Sequence, residues 1–168
     1  SNGTAAIVCF PGIMYRGAAE KKIRKYLIDN NFIDCVIQLP SNLFFGTSIA
    51  TCIMVLKKCK TDSNILFIDA SKEFVKATNN NKLSPENMNN IISCFEKREE
   101  IQYFSHLASY NEVVENEYNL SVSTYVEVED LKVKVDIEKL NAEIKEIVAR
   151  EEILRKAIDE IIEEIEVQ

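Results

Sequence analysis

Two adjacent phenylalanines lie in a loop of otherwise small and polar residues. The stretch LPSNLFFGTSIAT, residues 39–51, places Phe44 and Phe45 beside a glycine. An exposed ring in such a loop can stack on a planar ligand such as a base, an interaction of about 1–3 kcal/mol. The nearby hydroxyls of Thr47, Ser48 and Thr51 can donate hydrogen bonds to phosphate oxygens. Composition alone favours the alternative, in which both rings pack into the core.

Other residues that could do chemistry give weaker patterns. The chain has neither G-x-G-x-x-G nor G-x-x-x-x-G-K-[ST], so no glycine-rich phosphate cradle is predicted. His106 has no nucleophile near it in the sequence, and we expect Asp69, at a strand end, to cap a loop. Five cysteines without a C-x-x-C spacing predict a disulfide-free cytoplasmic protein with no metal site.

The composition, 46% hydrophobic and 28% charged, is that of a globular protein. We recognise no apolar run of membrane-spanning length and no signal peptide, so we expect no membrane partner. Residues 1–60 hold 8 lysines and arginines against 3 acidic residues, although the whole chain has a net charge of −7. A basic front is compatible with a polyanion at one end, but the patch is weak, and the charge counts favour an uneven solvated surface.

The elements that must position the loop alternate between strand and helix. Apolar runs predict strands over residues 4–10, 32–39, 49–57 and 65–70, the first of them buried on both faces. A helix is predicted over residues 17–30, with Ile23 and Tyr26 on its buried face and Arg24 on its outer face. Ser84-Pro85 begins another helix, and residues 118–126 alternate as a short strand.

The connections between these elements predict a mixed α/β sheet. Strand, helix and strand over residues 4–39 form a unit with a parallel pair and a right-handed crossover. The loop that follows, of about nine residues, is too short to contain a crossover helix. The strand at residues 49–57 should therefore run antiparallel to the strand before it.

An apolar seam with spacings of three and four runs from Ile137 to Ile165 and predicts a coiled-coil-like or bundle helix. Such a stripe needs a partner surface, which the sequence leaves open as its own domain, another copy or a different subunit. The interface candidates are Ile144, Ile147, Leu154, Ile158, Ile161 and Ile165.

Three stretches together resemble the C-terminal half of the modification subunit of type I restriction-modification systems, which are N6-adenine DNA methyltransferases. They are residues 5–58, ILFIDASKEF at 65–74 and NEYNLSVSTYV at 116–126. The resemblance implies the C-terminal part of a Rossmann-like methyltransferase sheet over residues 3–130, with its last strand antiparallel between its two predecessors. A subunit-interaction tail with a long coiled-coil-like helix would occupy residues 131–168.

The resemblance also implies methyl transfer from S-adenosylmethionine to the amino nitrogen of an adenine flipped out of DNA. An aromatic residue of the loop would stack on that adenine, with Phe44 the better match and Phe45 packing beside it. The candidates for contact with DNA are Arg16, Lys21, Thr47, Ser48, Lys57 and Lys58. The family's glycine-rich cofactor motif and Asn-Pro-Pro-aromatic motif are missing from these residues, so we expect this chain alone to bind no cofactor and methylate nothing.

The partners implied by the resemblance are DNA and the specificity and restriction subunits of a type I complex. The apolar seam would bind the specificity subunit, and without it the chain could self-associate. Two other interpretations remain at this stage. One is a non-catalytic interaction module with a coiled-coil dimerisation helix, and the other is a Rossmann-like scaffold with no role on DNA.

Overall fold

The computed structural model describes residues 2–128 and 137–166, with the side chains of the second range described at 140–159 and 162. The chain divides into two compact units, Ser1–Glu129 and Asp130–Gln168. In the part of the chain that the structure describes, no helix is long and apolar enough to cross a membrane.

A mixed sheet forms the centre of the first unit. Its strands are β1 (Thr4–Cys9), β2 (Ile33–Gln38), β3 (Cys52–Lys57), β4 (Ile65–Asp69) and β7 (Ser105–Ala108); β5 (Val75–Lys76) and β6 (Asn81–Lys82) form a separate hairpin. The order in the main sheet is β1-β3-β2-β4-β7. β3 pairs antiparallel with both β1 and β2, and β4 pairs parallel with β2. The predicted antiparallel strand between its two predecessors is thus confirmed.

Helices cover both faces of this sheet. They are α1 (Gly12–Tyr15), α2 (Ala18–Asp29), α3 (Pro85–Lys97) and α4 (Tyr110–Glu115), with a 3-10 turn at Val122–Thr124. One apolar cluster joins Ile28 of α2 and Val113 of α4 to Phe67 of β4. The other joins Ile91 of α3 to Leu66 of the same strand. The side chains of β4 alternate between the two clusters, so β4 is buried on both faces.

β1 is exposed, and the prediction that it is buried on both faces is wrong. All but the last of its residues are exposed, including Ile7 and Val8, whose side chains alternate between the two faces. The reason is its place at the end of the sheet, since β3 occupies the position beside β2. An apolar run of strand length does not distinguish a central strand from an edge strand.

The buried face of α2 also differs from the prediction. Arg24 is only 3% exposed, whereas Ile23 and Tyr26 are exposed. The guanidinium donates hydrogen bonds to the backbone oxygens of Tyr118, at 2.9 Å, and Ile13, at 2.7 Å. Its aliphatic stem is buried while its charged head satisfies two carbonyls, so the helix is fixed through an arginine as well as through the apolar side chain of Ile28.

Residues 118–126 form turns rather than the predicted strand. Leu120 donates from its backbone nitrogen to the Met14 oxygen at 2.9 Å, and Tyr125 stacks on Phe67 with ring centroids 3.9 Å apart. The hydroxyl of Tyr125 donates to the Asn119 oxygen at 2.5 Å. The alternating apolar residues are therefore anchors that fasten this segment to the sheet.

α3 begins as predicted at Ser84-Pro85. The Ser84 hydroxyl accepts from the Asn87 amide, and the Asn87 side chain accepts from the Ser84 amide, which makes a capping box. The buried side chains of α3 are Ile91 and Cys94.

The second unit contains α5 (Ile137–Glu166), a helix of 30 residues. Its described large apolar side chains are exposed; they are Leu140, Ile144, Ile147, Val148, Ile153, Leu154, Ile158 and Ile162. The side chains of Ile161 and Ile165, two of the interface candidates, lie outside the described residues. The long C-terminal helix is present, and its pairing in a coiled coil stays a prediction.

Candidate functional site

The loop between β2 and β3 lies at the edge of the sheet where the parallel strands end. Gln38, the last residue of β2, is opposite Cys52 of β3 and beside Asp69, the last residue of β4. Cys9, which ends β1, is paired with the same Cys52. Open α/β sheets bind ligands at this carboxyl edge.

The root of the loop is closed by backbone and side-chain hydrogen bonds. The Leu39 amide donates to the Thr51 oxygen at 2.9 Å, and the Gln38 side chain donates to the same oxygen at 3.1 Å. The Thr51 hydroxyl is buried and has no hydrogen-bond partner among the described residues. Burying a hydroxyl without a hydrogen-bond partner costs stability, and the root of the loop carries one such group.

Residues 41–50 between these closing bonds form the segment that we call the aromatic loop. Asn42 and Gly46 take the left-handed backbone conformation, with φ of 57° and 80°. Asparagine and glycine adopt this conformation at least cost, which lets the chain reverse direction twice within a few residues. The loop's own backbone bonds are long, 3.3 Å from Asn42 to Ser48 and 3.4 Å from Thr47 to Phe44.

Both phenylalanine rings of the aromatic loop face solvent. Phe44 is 42% exposed and Phe45 is 99% exposed. The interpretation of both rings as core residues is therefore wrong, and so is the expectation that Phe45 packs beside Phe44. The apolar positions in the sheet are filled by neighbouring side chains of the strands, which leaves the two rings at the carboxyl edge.

A polar segment 30 residues further on fastens the aromatic loop. We call residues 75–82 the asparagine hairpin, because its tip and second strand contain Asn79, Asn80 and Asn81. Its side-chain and backbone groups make four hydrogen bonds with residues 41–44. By composition alone, residues 78–82, TNNNK, indicate only a polar loop. The one signal of a further role is the three consecutive asparagines, whose side chains have both amide donors and carbonyl acceptors.

The sequence-predicted DNA contacts lie at three separate places. Thr47 and Ser48 are in the aromatic loop, and the Thr47 hydroxyl accepts from the Ile49 amide at 3.2 Å. Lys57 and Lys58 lie at the opposite end of β3, about 20 Å away for a strand of this length. Arg16 and Lys21 lie near the start of α2. Only the two hydroxyl residues share the carboxyl-edge loop with the rings.

Arg16 and Lys21 flank the start of α2. Arg16 is exposed in the turn before the helix. Lys21 is ion-paired with Glu117 at 2.8 Å, and this pairing lowers the pKa of the Glu117 carboxyl. Lys21 therefore already has an acidic partner, whereas Arg16 is open to solvent.

Two thiols meet beside the root of the aromatic loop. The sulfur atoms of Cys9 and Cys52 are 3.8 Å apart. The hydrogen bond between them lowers the pKa of Cys9 and raises the pKa of Cys52, and burial raises the latter further. No cysteine forms a disulfide in the part of the chain that the structure describes, and Cys9 is the member of this pair that solvent reaches.

The remaining candidates have structural partners. The Asp69 carboxylate accepts from the Ser71 amide at 2.9 Å, as expected of a residue that caps a loop. His106 lies between two carboxylates, with Glu100 at 2.5 Å and Glu112 at 2.8 Å from its ring nitrogens. Among the residues described, no group of three or more ligand side chains could hold a metal ion.

A family model described as "N-6 DNA Methylase" matches residues 1–134, most of the chain. The chain belongs to the N-6 DNA methylase family. This match, together with relatives that are methylase subunits of type I restriction enzymes, confirms the resemblance to type I modification subunits. The exposed aromatic loop is thus a feature of an N-6 DNA methylase chain.

Curated relatives of this methylase chain are methylase subunits of type I restriction enzymes. The MpnII methylase subunit of Mycoplasma pneumoniae is 51% identical over 166 residues, which are 98% of this chain and 31% of the relative. The MjaVII methylase subunit of Methanocaldococcus jannaschii is 37% identical, over 95% of this chain and 28% of the relative. The chain spans about a third of the length of these relatives.

A solved structure is similar to most of the first unit. The type I restriction-modification methyltransferase subunit from Streptococcus thermophilus matches with a TM-score of 0.73 and 47% identity. The match covers 74% of this chain and 27% of that chain. It supports a methyltransferase fold for the mixed sheet of this methylase chain.

Proposed function

We propose that this chain is the target-base side of a site-specific DNA adenine methyltransferase of a type I restriction-modification system. In this proposal the complete modification subunit transfers a methyl group from S-adenosylmethionine to the amino nitrogen of an adenine in DNA. The aromatic loop stacks on that adenine once it has left the duplex. Membership of the N-6 DNA methylase family supports the reaction class.

The observation that carries the proposal is a pair of exposed rings on a fixed loop at the carboxyl edge of the sheet. Exposed apolar rings stabilise nothing in the fold, whereas they can exclude water from a base and stack on its face. Thr47 and Ser48 place hydroxyl groups in the same loop, where DNA phosphates would lie beside an extruded nucleotide.

Phe44 is the better candidate for the stacking ring. It is half covered, and its backbone oxygen accepts hydrogen bonds from Asn80 and Thr47. A partly covered side chain on a backbone held by hydrogen bonds samples fewer orientations, which favours stacking on a single base. Phe45 is fully exposed and has no such support, so it contributes less to base binding.

The residues of this chain do not fit a binding site for S-adenosylmethionine. Of its four glycines, Gly46 and Gly17 have open space where a side chain would be, and Gly12 faces the Arg16 side chain. None lies in a closely packed strand-to-helix cradle of the kind that holds a nucleotide cofactor. We therefore assign no cofactor contact to this chain and expect it to be inactive alone. Micromolar binding of the cofactor to this chain in calorimetry would contradict that assignment.

The main test replaces Phe44 by alanine in the complete modification subunit, assembled with its specificity subunit. Loss of stacking on the target base should lower the methylation rate about tenfold to a hundredfold. The measurement is transfer of a labelled methyl group to a duplex that contains the recognition site. A rate within about twofold of wild type would contradict a stacking role.

The neighbouring ring provides the matched control. Phe45→Ala removes the same number of atoms from the same loop, and we expect a smaller loss than for Phe44→Ala. If the order of the two variants is reversed, the loop retains its role and Phe45 is the stacking ring.

We further propose that α5 binds the specificity subunit through its exposed apolar stripe. The described interface candidates Ile144, Ile147, Leu154 and Ile158 are all exposed. Isoleucine and leucine at spacings of three and four on one side of a helix form a seam suited to another helix. DNA, the specificity subunit and the restriction subunit are then the partners of the complete protein.

Aspartate in place of both Leu154 and Ile158 should abolish assembly with the specificity subunit in size-exclusion chromatography. Lys156→Asp is the matched control, because residue 156 lies on the opposite side of the helix from residue 154. It introduces the same side chain outside the stripe and should leave assembly intact. Assembly that survives the double substitution would assign the stripe another role.

The same stripe supports a second candidate function, a protein-interaction module that dimerises through α5. A dimer of this chain that the double aspartate variant converts to monomer, together with full methylation by Phe44→Ala, would favour this function.

A further inference from the structure

The asparagine hairpin packs on the aromatic loop and pairs with no strand of the main sheet. Its β5 and β6 strands are only two residues long each, and the tip is closed by the Ala77 amide, which donates to the Asn80 oxygen at 3.0 Å. Such a short hairpin has little stability of its own. The hairpin's conformation therefore depends on its contacts with the loop.

Two bonds attach the hairpin to the beginning of the loop. The Asn81 amide donates to the Asn42 oxygen at 2.8 Å, and the Asn81 side chain donates to the Ser41 oxygen at 2.8 Å. In return, the Asn42 side chain donates to the Asn79 oxygen at 3.1 Å. The chain is thus held where it leaves β2 and turns through the left-handed residue Asn42.

A further bond reaches the aromatic residue itself. The Asn80 side chain donates to the Phe44 oxygen at 3.2 Å. The internal bond to the same oxygen, from Thr47, is longer at 3.4 Å and close to the limit for a hydrogen bond. Asn80 is therefore the firmer of the two restraints on the backbone that carries the Phe44 ring.

We propose that Asn80 and Asn81 are positioning residues for the target base, which they orient by holding the aromatic loop through its carbonyl oxygens. This inference rests on the proposed function of the loop. The restraint comes from the backbone, so both rings stay free while the loop keeps one conformation. Binding a base then requires less ordering of the loop, and that preorganisation raises the population of the complex with an extruded base.

The chemistry of the restraint suggests an isosteric test. Asparagine donates two hydrogens, whereas aspartate of the same shape only accepts and would face a carbonyl oxygen. Asn80→Asp and Asn81→Asp should each release the loop without removing volume. Asn79→Asp is the matched control, because Asn79 contacts the loop through its backbone oxygen and its side chain is exposed. It adds the same charge at the same hairpin and keeps the bond.

The experiment uses the complete modification subunit assembled with its specificity subunit, and a duplex with 2-aminopurine at the target position. We expect Asn80→Asp to lower kcat for methylation about fivefold to tenfold, the loss of one hydrogen bond to the loop. The rise in 2-aminopurine fluorescence on binding should fall with it, while KM for DNA and the melting temperature stay near wild type. Asn80→Gln, which keeps the donor, should recover part of the loss, and Asn79→Asp should match wild type.

A separate measurement on the loop distinguishes this inference from the proposed function. Hydrogen exchange at the amides of residues 42–48 should be faster in Asn80→Asp than in Asn79→Asp, without DNA present. If Phe44→Ala lowers methylation and Asn80→Asp changes neither exchange nor fluorescence, the positioning role is refuted and the loop's function stands. If exchange rises but Phe44→Ala methylates normally, the proposed function fails and the positioning role fails with it.

Discussion

Two pairs of aromatic residues in the first unit differ in what surrounds them. Phe67 and Tyr125 stack on each other inside the core, with ring planes 13° apart. Phe44 and Phe45 are neighbours in the chain, and both face solvent. The core pair is brought together from strand β4 and the turn region near residue 125, whereas the loop pair is adjacent by sequence alone.

The difference lies in which groups are bonded. In the core pair the side chains make the contacts, and the Tyr125 hydroxyl bonds to the Asn119 oxygen. In the loop pair the backbone makes the contacts, and Asn80 bonds to the Phe44 oxygen. The first arrangement holds the fold together through its rings. The second fixes a loop and keeps its rings available, which is the arrangement expected of a binding surface.

The largest expected effect is a difference in the free energy of unfolding between variants of the two pairs. Phe67→Ala should lower the free energy of unfolding by about 3–5 kcal/mol, because a buried ring leaves a cavity in a sheet covered on both faces. Phe45→Ala should change it by no more than about 0.5 kcal/mol, since the ring is exposed. Urea unfolding followed by circular dichroism measures both. Equal losses for the two variants would remove the distinction.

An intermediate effect isolates the polar contact of the core pair. Tyr125→Phe keeps the ring stack and removes the hydroxyl that donates to the Asn119 oxygen. The free energy of unfolding should fall by about 1 kcal/mol, the usual net value of such a bond. Tyr26→Phe, at an exposed ring, is the control and should be neutral in the same urea titration. A neutral Tyr125→Phe would mean that the stack alone fastens this turn.

The smallest effect is a dependence on alkaline pH. Burial raises the pKa of Tyr125 above its ordinary value near 10, so the folded protein keeps the proton that the unfolded chain releases. The contribution of Tyr125 is complete below pH of about 10 and is lost as the pH rises toward the folded-state pKa. The stability difference between wild type and Tyr125→Phe should therefore narrow above that pH in urea titrations. A constant difference would show that the hydroxyl does not titrate with unfolding.

Local patterns predicted much of the fold. The runs at residues 32–39 and 65–70 became β2 and β4, and the short loop correctly predicted the antiparallel β3. The capping pattern at Ser84-Pro85 correctly predicted where α3 begins. These features depend on neighbours in sequence, or on a loop length that permits a single geometry.

The wrong predictions concern residues whose contact partners are distant in sequence. The periodicity of α2 was found, but its buried face depends on the oxygens of Ile13 and Tyr118, which accept from Arg24. Residues 118–126 alternate like a strand and instead form turns, because Leu120 and Tyr125 are anchored individually to the sheet region. No local pattern contains those partners.

The candidate site was predicted in part. The aromatic loop was found from its composition, and the exposure of its rings required the structure, since a phenylalanine beside a glycine occurs in cores as well. The asparagine hairpin was missed as a positioning element because it bonds mainly to backbone oxygens. Backbone oxygens are present at every residue, so the sequence carries no mark of which ones are used.

The exposed position of β1 has a practical consequence for solution studies of this chain. In the part of the chain that the structure describes, no strand pairs with its outer edge, and Ile7 and Val8 are bare on opposite faces. An apolar strand with free amide and carbonyl groups is a template for sheet extension between molecules, and hence for aggregation. The apparent molar mass measured by light scattering should therefore increase with protein concentration. Val8→Lys would place a charge on that edge strand and reduce association, and it would not disturb the core because Val8 is exposed.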